Sequence, residues 1–236
     1  MTHNKHILIV EDEHKIAALL RDYLEKSNYR VTLIGRGDIA VAQVRKNSPD
    51  LILLDIMLPT MDGMAVCREV RKFSNIPIIM ITAKVEEIDR LLGLEIGADD
   101  YICKPFSPRE VVARVKAVLR RANPEQVQVG VSNSVSGPIL LGDIELDQIN
   151  HQAKVNGKEL DLTPSEFRLL QVLISQPNRV FSRDELLAKV QGYDFEGYDR
   201  TIDSHIKNLR KKLSLYLPDK DVIVTVYGLG YKMVFY

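Results

Sequence analysis

Four short stretches in the first half of the chain are apolar at nearly every position: Ile7-Leu8-Ile9-Val10, Val31-Thr32-Leu33-Ile34, Leu51-Ile52-Leu53-Leu54 and Ile78-Ile79-Met80-Ile81. Unbroken apolarity over four residues suits a strand covered on both faces, as in a parallel sheet; a strand with one wet face would alternate. A weaker fifth strand fits Tyr101-Ile102-Cys103. Between these runs the apolar spacing changes to three and four. Ile16, Leu19, Leu20, Tyr23 and Leu24 form one helical stripe, Val66, Val70 and Phe73 a second, and Val111, Val115, Val118 and Leu119 a third. The third is entered through Ser107-Pro108, with proline at the first helical position. Strands alternating with helices predict repeated βα units, an α/β fold on a five-stranded parallel sheet.

That rhythm stops near Arg121. Residues 123–138 are mostly Asn, Pro, Gln, Gly, Ser and isolated valines, with Glu125 the only charge, and read as a linker. Beyond it, short alternating segments appear: Ile144-Glu145-Leu146, Gln152-Ala153-Lys154-Val155 and Glu159-Leu160-Asp161-Leu162, with the hairpin signal Asn156-Gly157 between two of them. Helices follow at 164–175 and 183–190, opened by the capping patterns Thr163 with Glu166 and Ser182 with Glu185. A third begins near Arg200. Segments 222–226 and 231–235 then flank Gly228-Leu229-Gly230 as a second hairpin. The expected organisation is therefore one domain at 5–122, a linker at 123–138 and an α+β domain at 139–236.

Charge changes this picture little at the level of the whole chain, because 32 Lys and Arg balance 32 Asp and Glu. A surface that is one continuous field for nucleic acid or membrane is excluded. No run approaches the roughly 18–20 apolar residues of a membrane helix, and the polar first six residues leave no room for a signal peptide before the first strand. Cys67 and Cys103 have no second cysteine or nearby histidine to complete a metal pattern, and read as reduced thiols of a cytoplasmic protein.

Candidate chemistry lies where the strands end, since open α/β sheets bind ligands beyond their carboxyl edge. The first strand runs into Glu11-Asp12, the third into Asp55, the fourth into Thr82 and the fifth into Lys104-Pro105. Three carboxylates held on one rim repel one another unless a cation lies between them, and Mg²⁺ suits a site of few protein ligands beside a phosphate. Lys104 opposite them would hold a phosphoryl oxygen, with Asp55 as the nucleophile that becomes an acyl phosphate. No GxxxxGK[ST] or GxGxxG loop occurs, which argues against a nucleotide donor. Two other classes fit the same residues less well. A small-molecule aspartyl-phosphate phosphatase commonly places a second acid two residues after its nucleophile, where this chain has Met57. A protein-interaction adaptor would use the basic C-terminal helix on acidic partners instead of DNA.

Glu11-Asp12, Asp55 followed by Met57-Leu58-Pro59 and Asp62-Gly63, Thr82-Ala83, Gly97-Ala98-Asp99-Asp100-Tyr101 and Lys104-Pro105 together resemble the receiver domain of two-component response regulators. The resemblance covers about residues 5–122 and implies a flavodoxin-like (βα)5 fold with phosphorylation on Asp55 by a sensor histidine kinase. It also implies Mg²⁺ held by Asp12, Asp55 and the Met57 backbone carbonyl, with Glu11 acting partly through water. Thr82 and Tyr101 become the switch pair, and Lys104–Pro105 a cis bond. A dimer face is implied on the receiver's fourth helix, fifth strand and fifth helix. There Arg90 with Glu110, and Asp100 with Arg114, would pair across a two-fold around Leu91 and Ala113.

The chain after residue 122 carries thirteen basic against fifteen acidic residues, so the positive charge of the second domain is local. Between residues 200 and 212 lie Arg200, Lys207, Arg210, Lys211 and Lys212 against Asp203 alone. Ile202, Ile206, Leu209 and Leu213 form the buried stripe of that helix, leaving Arg200, Asp203, Ser204, Lys207, Asn208 and Lys211 outward, within reach of a major groove. His205 is expected at the helix surface or in a cap. Leu162-Thr163-Pro164-Ser165-Glu166-Phe167, Val180-Phe181-Ser182-Arg183, Arg200-Thr201-Ile202-Asp203-Ser204-His205-Ile206 and Gly228-Leu229-Gly230-Tyr231 resemble the winged helix-turn-helix effector domain of OmpR/PhoB-type regulators. That implies a preceding four-stranded sheet, a recognition helix from about Asp199, direct repeats in promoter DNA, and a loop at 191–198 facing RNA polymerase. Thr201, Arg210 and Lys232 join the expected DNA contacts. Many relatives carry Arg before the wing glycines, where this chain has Tyr227.

Overall fold

The computed structural model describes residues 4–83, 96–122, 137–191 and 200–234. Contacts divide the chain into two units, Met1–Ala122 and Asn123–Tyr236.

The first unit runs β1 (His6–Val10), α1 (His14–Lys26), β2 (Arg30–Ile34), α2 (Gly37–Asn47), β3 (Leu51–Asp55), α3 (Gly63–Arg71), β4 (Ile78–Ala83), β5 (Asp100–Lys104) and α4 (Pro108–Ala122). The sheet order is β2-β1-β3-β4-β5, and every pairing is parallel. β1 and β3 are buried along their whole length, as their apolar runs require. Successive side chains serve opposite faces. Leu8, Val10, Ile52 and Leu54 join Ala40, Val44, Val66 and Val70 in one core layer. Ile7, Ile9, Leu51 and Leu53 join Leu20, Leu24, Val111 and Val115 in the other. β2 lies at the sheet edge, which is why its run tolerates Thr32 and an exposed Leu33.

Two details depart from the sequence expectation. Leu19 is 44% exposed, and α1 buries Ala17 in its place, beside Leu20 and Leu24. α2 has no strong apolar stripe; it docks through Gly37, Ala40 and Val44. A Cβ on Gly37 would overlap the Met61 carbonyl oxygen, so the start of this helix packs backbone to backbone on the loop after β3. α3 is capped by Asp62, whose carboxylate accepts from Ala65 N at 2.7 Å. Its last residue, Arg71, donates to the carbonyls of Gly97 (2.8 Å), Ile76 (2.7 Å) and Ser74 (3.2 Å) and to Asp99 Oδ2 (3.0 Å). Asp99, fully buried, also accepts from Ile78 N at 3.0 Å. One guanidinium thus ties the exit of α3 to the entries of β4 and β5.

The second unit opens with an antiparallel sheet in the order β6 (Ile139–Leu141), β7 (Ile144–Asp147), β8 (Gln152–Val155), β9 (Lys158–Glu159). Asn156 and Gly157 both take positive φ in the tight turn between β8 and β9, as the dipeptide predicts. The expected strand at 159–162 pairs only as far as Leu160, whose amide reaches Ala153 O at 2.8 Å. The chain then leaves the sheet so that Thr163 can cap α5 (Pro164–Ser175) with a complete capping box to Glu166. α6 (Arg183–Gln191), α7 (Arg200–Ser214) and the hairpin β10 (Ile223–Val226)–β11 (Gly230–Met233) follow. Lys212 Nζ lies 2.7 Å from Glu166 Oε2, fixing the end of α7 to the start of α5.

Candidate functional site

The strand ends bring the first set of candidates together. Asp55 closes β3 and is buried. Glu11, one residue beyond β1, is also buried, whereas Asp12 is exposed. One carboxylate oxygen from each of Glu11, Asp12 and Asp55 lies within 4.8 Å of the others. Lys104, the last residue of β5, places Nζ 2.7 Å from Asp55 Oδ2 and 2.8 Å from Glu11 Oε2. The second oxygen of Asp55, Oδ1, accepts from Met57 N at 3.1 Å. A Cβ on Gly63 would overlap the Asp55 carbonyl oxygen and stand 2.9 Å from its carbon. Only glycine lets α3 start this close to the acidic strand end. The Lys104–Pro105 bond is cis.

Three acids beside one ammonium leave a negative surplus. Burial, opposed by the Lys104 hydrogen bond and reinforced by the Asp55 charge, pushes the Glu11 carboxyl up to about 7. Burial alone would lower the Lys104 ammonium, but its hydrogen bonds to Asp55 and Glu11 outweigh that and hold it above its ordinary range. Glu11 Oε2 is buried and, although the ammonium is near, accepts no hydrogen bond of good geometry. A hard cation with oxygen ligands answers both observations, so the cluster fits a metal ion.

The two residues expected to form a switch pair lie on the neighbouring strands β4 and β5. Thr82, buried at the end of β4, donates its hydroxyl to the Ala83 carbonyl at 2.8 Å. Tyr101 packs into the core layer shared with Met80 and Ala98. At the expected dimer face, Arg90 and Leu91 lie outside the described residues, and Ala113 is exposed. The opposite charges do not wait for a second chain: Arg114 binds Asp100 at 3.4 Å and Glu110 at 3.0 Å within one chain. Asp100 is buried, and a helix neighbour four positions away is an easier partner than one across a two-fold.

In the second unit the stripe Ile202, Ile206, Leu209 and Leu213 is buried, as its spacing predicts, and Lys207 and Lys211 are exposed. The backbone of Arg200 and Thr201 starts α7, and their side chains lie outside the described residues. Three expectations are corrected. Ser204 is 4% exposed and His205 1% exposed, so both face the core, which is wider than the four-residue stripe. Arg210 turns its guanidinium to the hairpin, donating to Ile223 O and Thr225 Oγ1 at 2.9 Å each. Sequence reading also missed Arg183 and Tyr231. Arg183 Nε reaches Asp203 Oδ1 at 2.8 Å, and Tyr231 Oη donates to the same oxygen at 2.7 Å. The lone acid on a basic helix was the available signal. Burial and the Asp203 carboxylate raise the Tyr231 phenol above its ordinary value.

Residues 7–116 match the family described as response regulator receiver domain, and residues 157–233 the family described as transcriptional regulatory protein, C terminal. Transcriptional regulatory protein BaeR of Escherichia coli O6:H1 is 55% identical over 226 residues, 96% of this chain and 91% of that protein. The chain is an OmpR/PhoB-type response regulator. ResD of Bacillus subtilis is 45% identical across 98% of this chain and 96% of its own. Among solved structures, a RitR variant matches with TM-score 0.74 at 28% identity over 98% of this chain and 99% of that one. The Thermotoga maritima OmpR/PhoB homologue DrrB matches with TM-score 0.51 at 27% identity over 98% and 100%. The chain is thus a DNA-binding regulator of a two-component system, and no enzyme family is indicated. No helix among the described residues is long and apolar enough to cross a membrane.

Proposed function

We propose that the chain is a cytoplasmic transcription factor switched on by transfer of a phosphoryl group to Asp55 from a sensor histidine kinase, BaeS-like in keeping with the 55% likeness to BaeR. The observation that carries this reading is the Lys104 ammonium set between the buried carboxylates of Asp55 and Glu11. In the transfer, an Asp55 carboxylate oxygen attacks the phosphorus of the kinase's phosphohistidine; the P–N bond breaks and the imidazole leaves. Lys104 then exchanges part of its contact with the acids for a phosphoryl oxygen. Asp12, Asp55 and the Met57 carbonyl, with Glu11 through water, are the residues that would hold Mg²⁺. The ion supplies charge neutralisation between carboxylates and phosphoryl oxygens.

Thr82 would leave the Ala83 carbonyl to bind the phosphoryl group, and Tyr101 would settle inward behind it. The altered face then dimerises, which requires Arg114 to redistribute between Asp100 and Glu110 of its own chain and of its partner. Phosphorylation acts only through the stability it adds to that active face. Dimerisation sets two recognition helices on direct repeats of promoter DNA. Lys207, Asn208 and Lys211, with Arg200, Thr201 and Lys232, supply the contacts, and segment 191–198 meets RNA polymerase. Acetyl phosphate with Mg²⁺ is the direct test: it should label the wild-type chain stoichiometrically and leave Asp55→Asn unlabelled yet folded. Labelling that persists in Asp55→Asn would move the acceptor elsewhere.

A further inference from the structure

A two-stranded hairpin has little stability of its own, so β10–β11 must be held by what it touches. Its backbone is joined to the start of α6 by a reciprocal pair, Phe181 N to Tyr231 O at 2.9 Å and Tyr231 N to Phe181 O at 3.0 Å. Gly230, at φ +146°, makes that approach possible, since a Cβ there would overlap the Phe181 carbonyl oxygen. Two guanidinium groups stand near the Tyr231 ring, Arg183 Cζ 5.1 Å and Arg210 Cζ 5.5 Å from its centroid. Its hydroxyl meets Asp203 on α7, and Arg183 meets the same carboxylate oxygen. At the other end of the hairpin, Tyr227 is 93% and Leu229 62% exposed, with no core to serve.

We propose that Tyr231 is a positioning residue for DNA recognition. Its hydroxyl, together with Asp203 and Arg183, latches the wing to the first turns of the recognition helix, so that helix and wing meet the duplex in one fixed relation. Two consequences follow from the geometry. The one acid between residues 200 and 212 is turned onto Arg183 and Tyr231 and away from DNA phosphates. The wing tip with Tyr227 and Leu229 is aimed before DNA arrives, so its ordering is not charged against binding. The ion pair itself is half exposed and contributes little stability. What two donors on one oxygen supply is direction.

The test uses the full chain, a duplex that the wild type selects from a random-sequence pool, and a scrambled duplex of the same composition. Tyr231→Phe keeps the ring beside both arginines and removes only the hydroxyl. Loss of a hydrogen bond to a charged group should weaken binding to the selected duplex about tenfold, with binding to the scrambled duplex within about twofold. Hydroxyl-radical protection should vanish where the wing lies and persist under the recognition helix. Asp203→Ala should reproduce both effects, Asp203→Asn, which still accepts the hydroxyl, should restore most of the wing's protection, and Tyr231→Phe with Asp203→Ala should be no worse than either alone. The latch is refuted if Tyr231→Phe keeps wild-type affinity and wing protection. It is equally refuted if both duplexes are lost together with protection along the whole site. Should Tyr231→Phe not fold, Asp203→Ala decides by the same readouts.

Discussion

Glu11 makes the acidic pocket a measurable burden on the receiver, and its size follows from the structure. Its carboxyl is pushed from an ordinary 4.5 up to about 7 by burial and by the neighbouring Asp55 charge, against the help of Lys104. The folded state therefore holds this proton to higher pH than the unfolded chain does. The sign is then fixed: the contribution is full below about pH 4.5, falls as pH rises, and is lost beyond about 7. At about 1.4 kcal/mol per pH unit, the loss amounts to about 3 kcal/mol. Urea denaturation of the full chain in EDTA, followed by circular dichroism between pH 5 and 8, should show it in the transition that responds to Mg²⁺. Glu11→Gln should flatten that trend, and the difference between wild type and variant isolates it from other titrating groups. Millimolar Mg²⁺ should restore most of the stability at pH 8 and little at pH 5, because the cation competes with a proton only where the proton is absent. Stability that is flat or rises with pH through this window in EDTA, or an undiminished slope in Glu11→Gln, would refute the electrostatic account of the pocket.

Other perturbations test the frame around the sites. Gly63→Ala should destabilise the receiver by at least about 2 kcal/mol in urea, since its Cβ meets the Asp55 backbone and no flexible side chain can yield; acetyl-phosphate labelling should fall with it. Arg71→Met removes the guanidinium facing buried Asp99 and should cost about 3–5 kcal/mol by the same measurement. If each protomer neutralises about four phosphates, log K for a DNA-bound dimer should fall with log salt at a slope of roughly −7, and Lys207→Ala with Lys211→Ala should make it shallower.

The strands were readable because burial on both faces leaves an unbroken apolar signature, and the acids at their ends stood out because charge directly after such a run has no packing role. α2 carried no such signature, since it docks with small residues and a glycine against backbone. Ser204 and His205 looked outward because helical spacing marks a core by its apolar members, while this core also takes in polar side chains of the right size. The pairings of Arg71, Arg183 and Arg210 were not legible at all, and that of Arg114 with Asp100 was expected across a two-fold instead of within one chain. An arginine reaches far enough that its partner is set by the assembled fold, and four of them here serve carbonyls or acids that the sequence places up to 28 positions away.

Lys104 reaches Glu11 across 93 positions and Asp55 across 49. During synthesis the two acids emerge long before their counter-charge, so a chain cut short before β5 carries both carboxylates without the ammonium that pairs with them. Under the function proposed above, such a chain would hold Asp55 without the charge that steadies a phosphoryl oxygen, and would take up the group poorly.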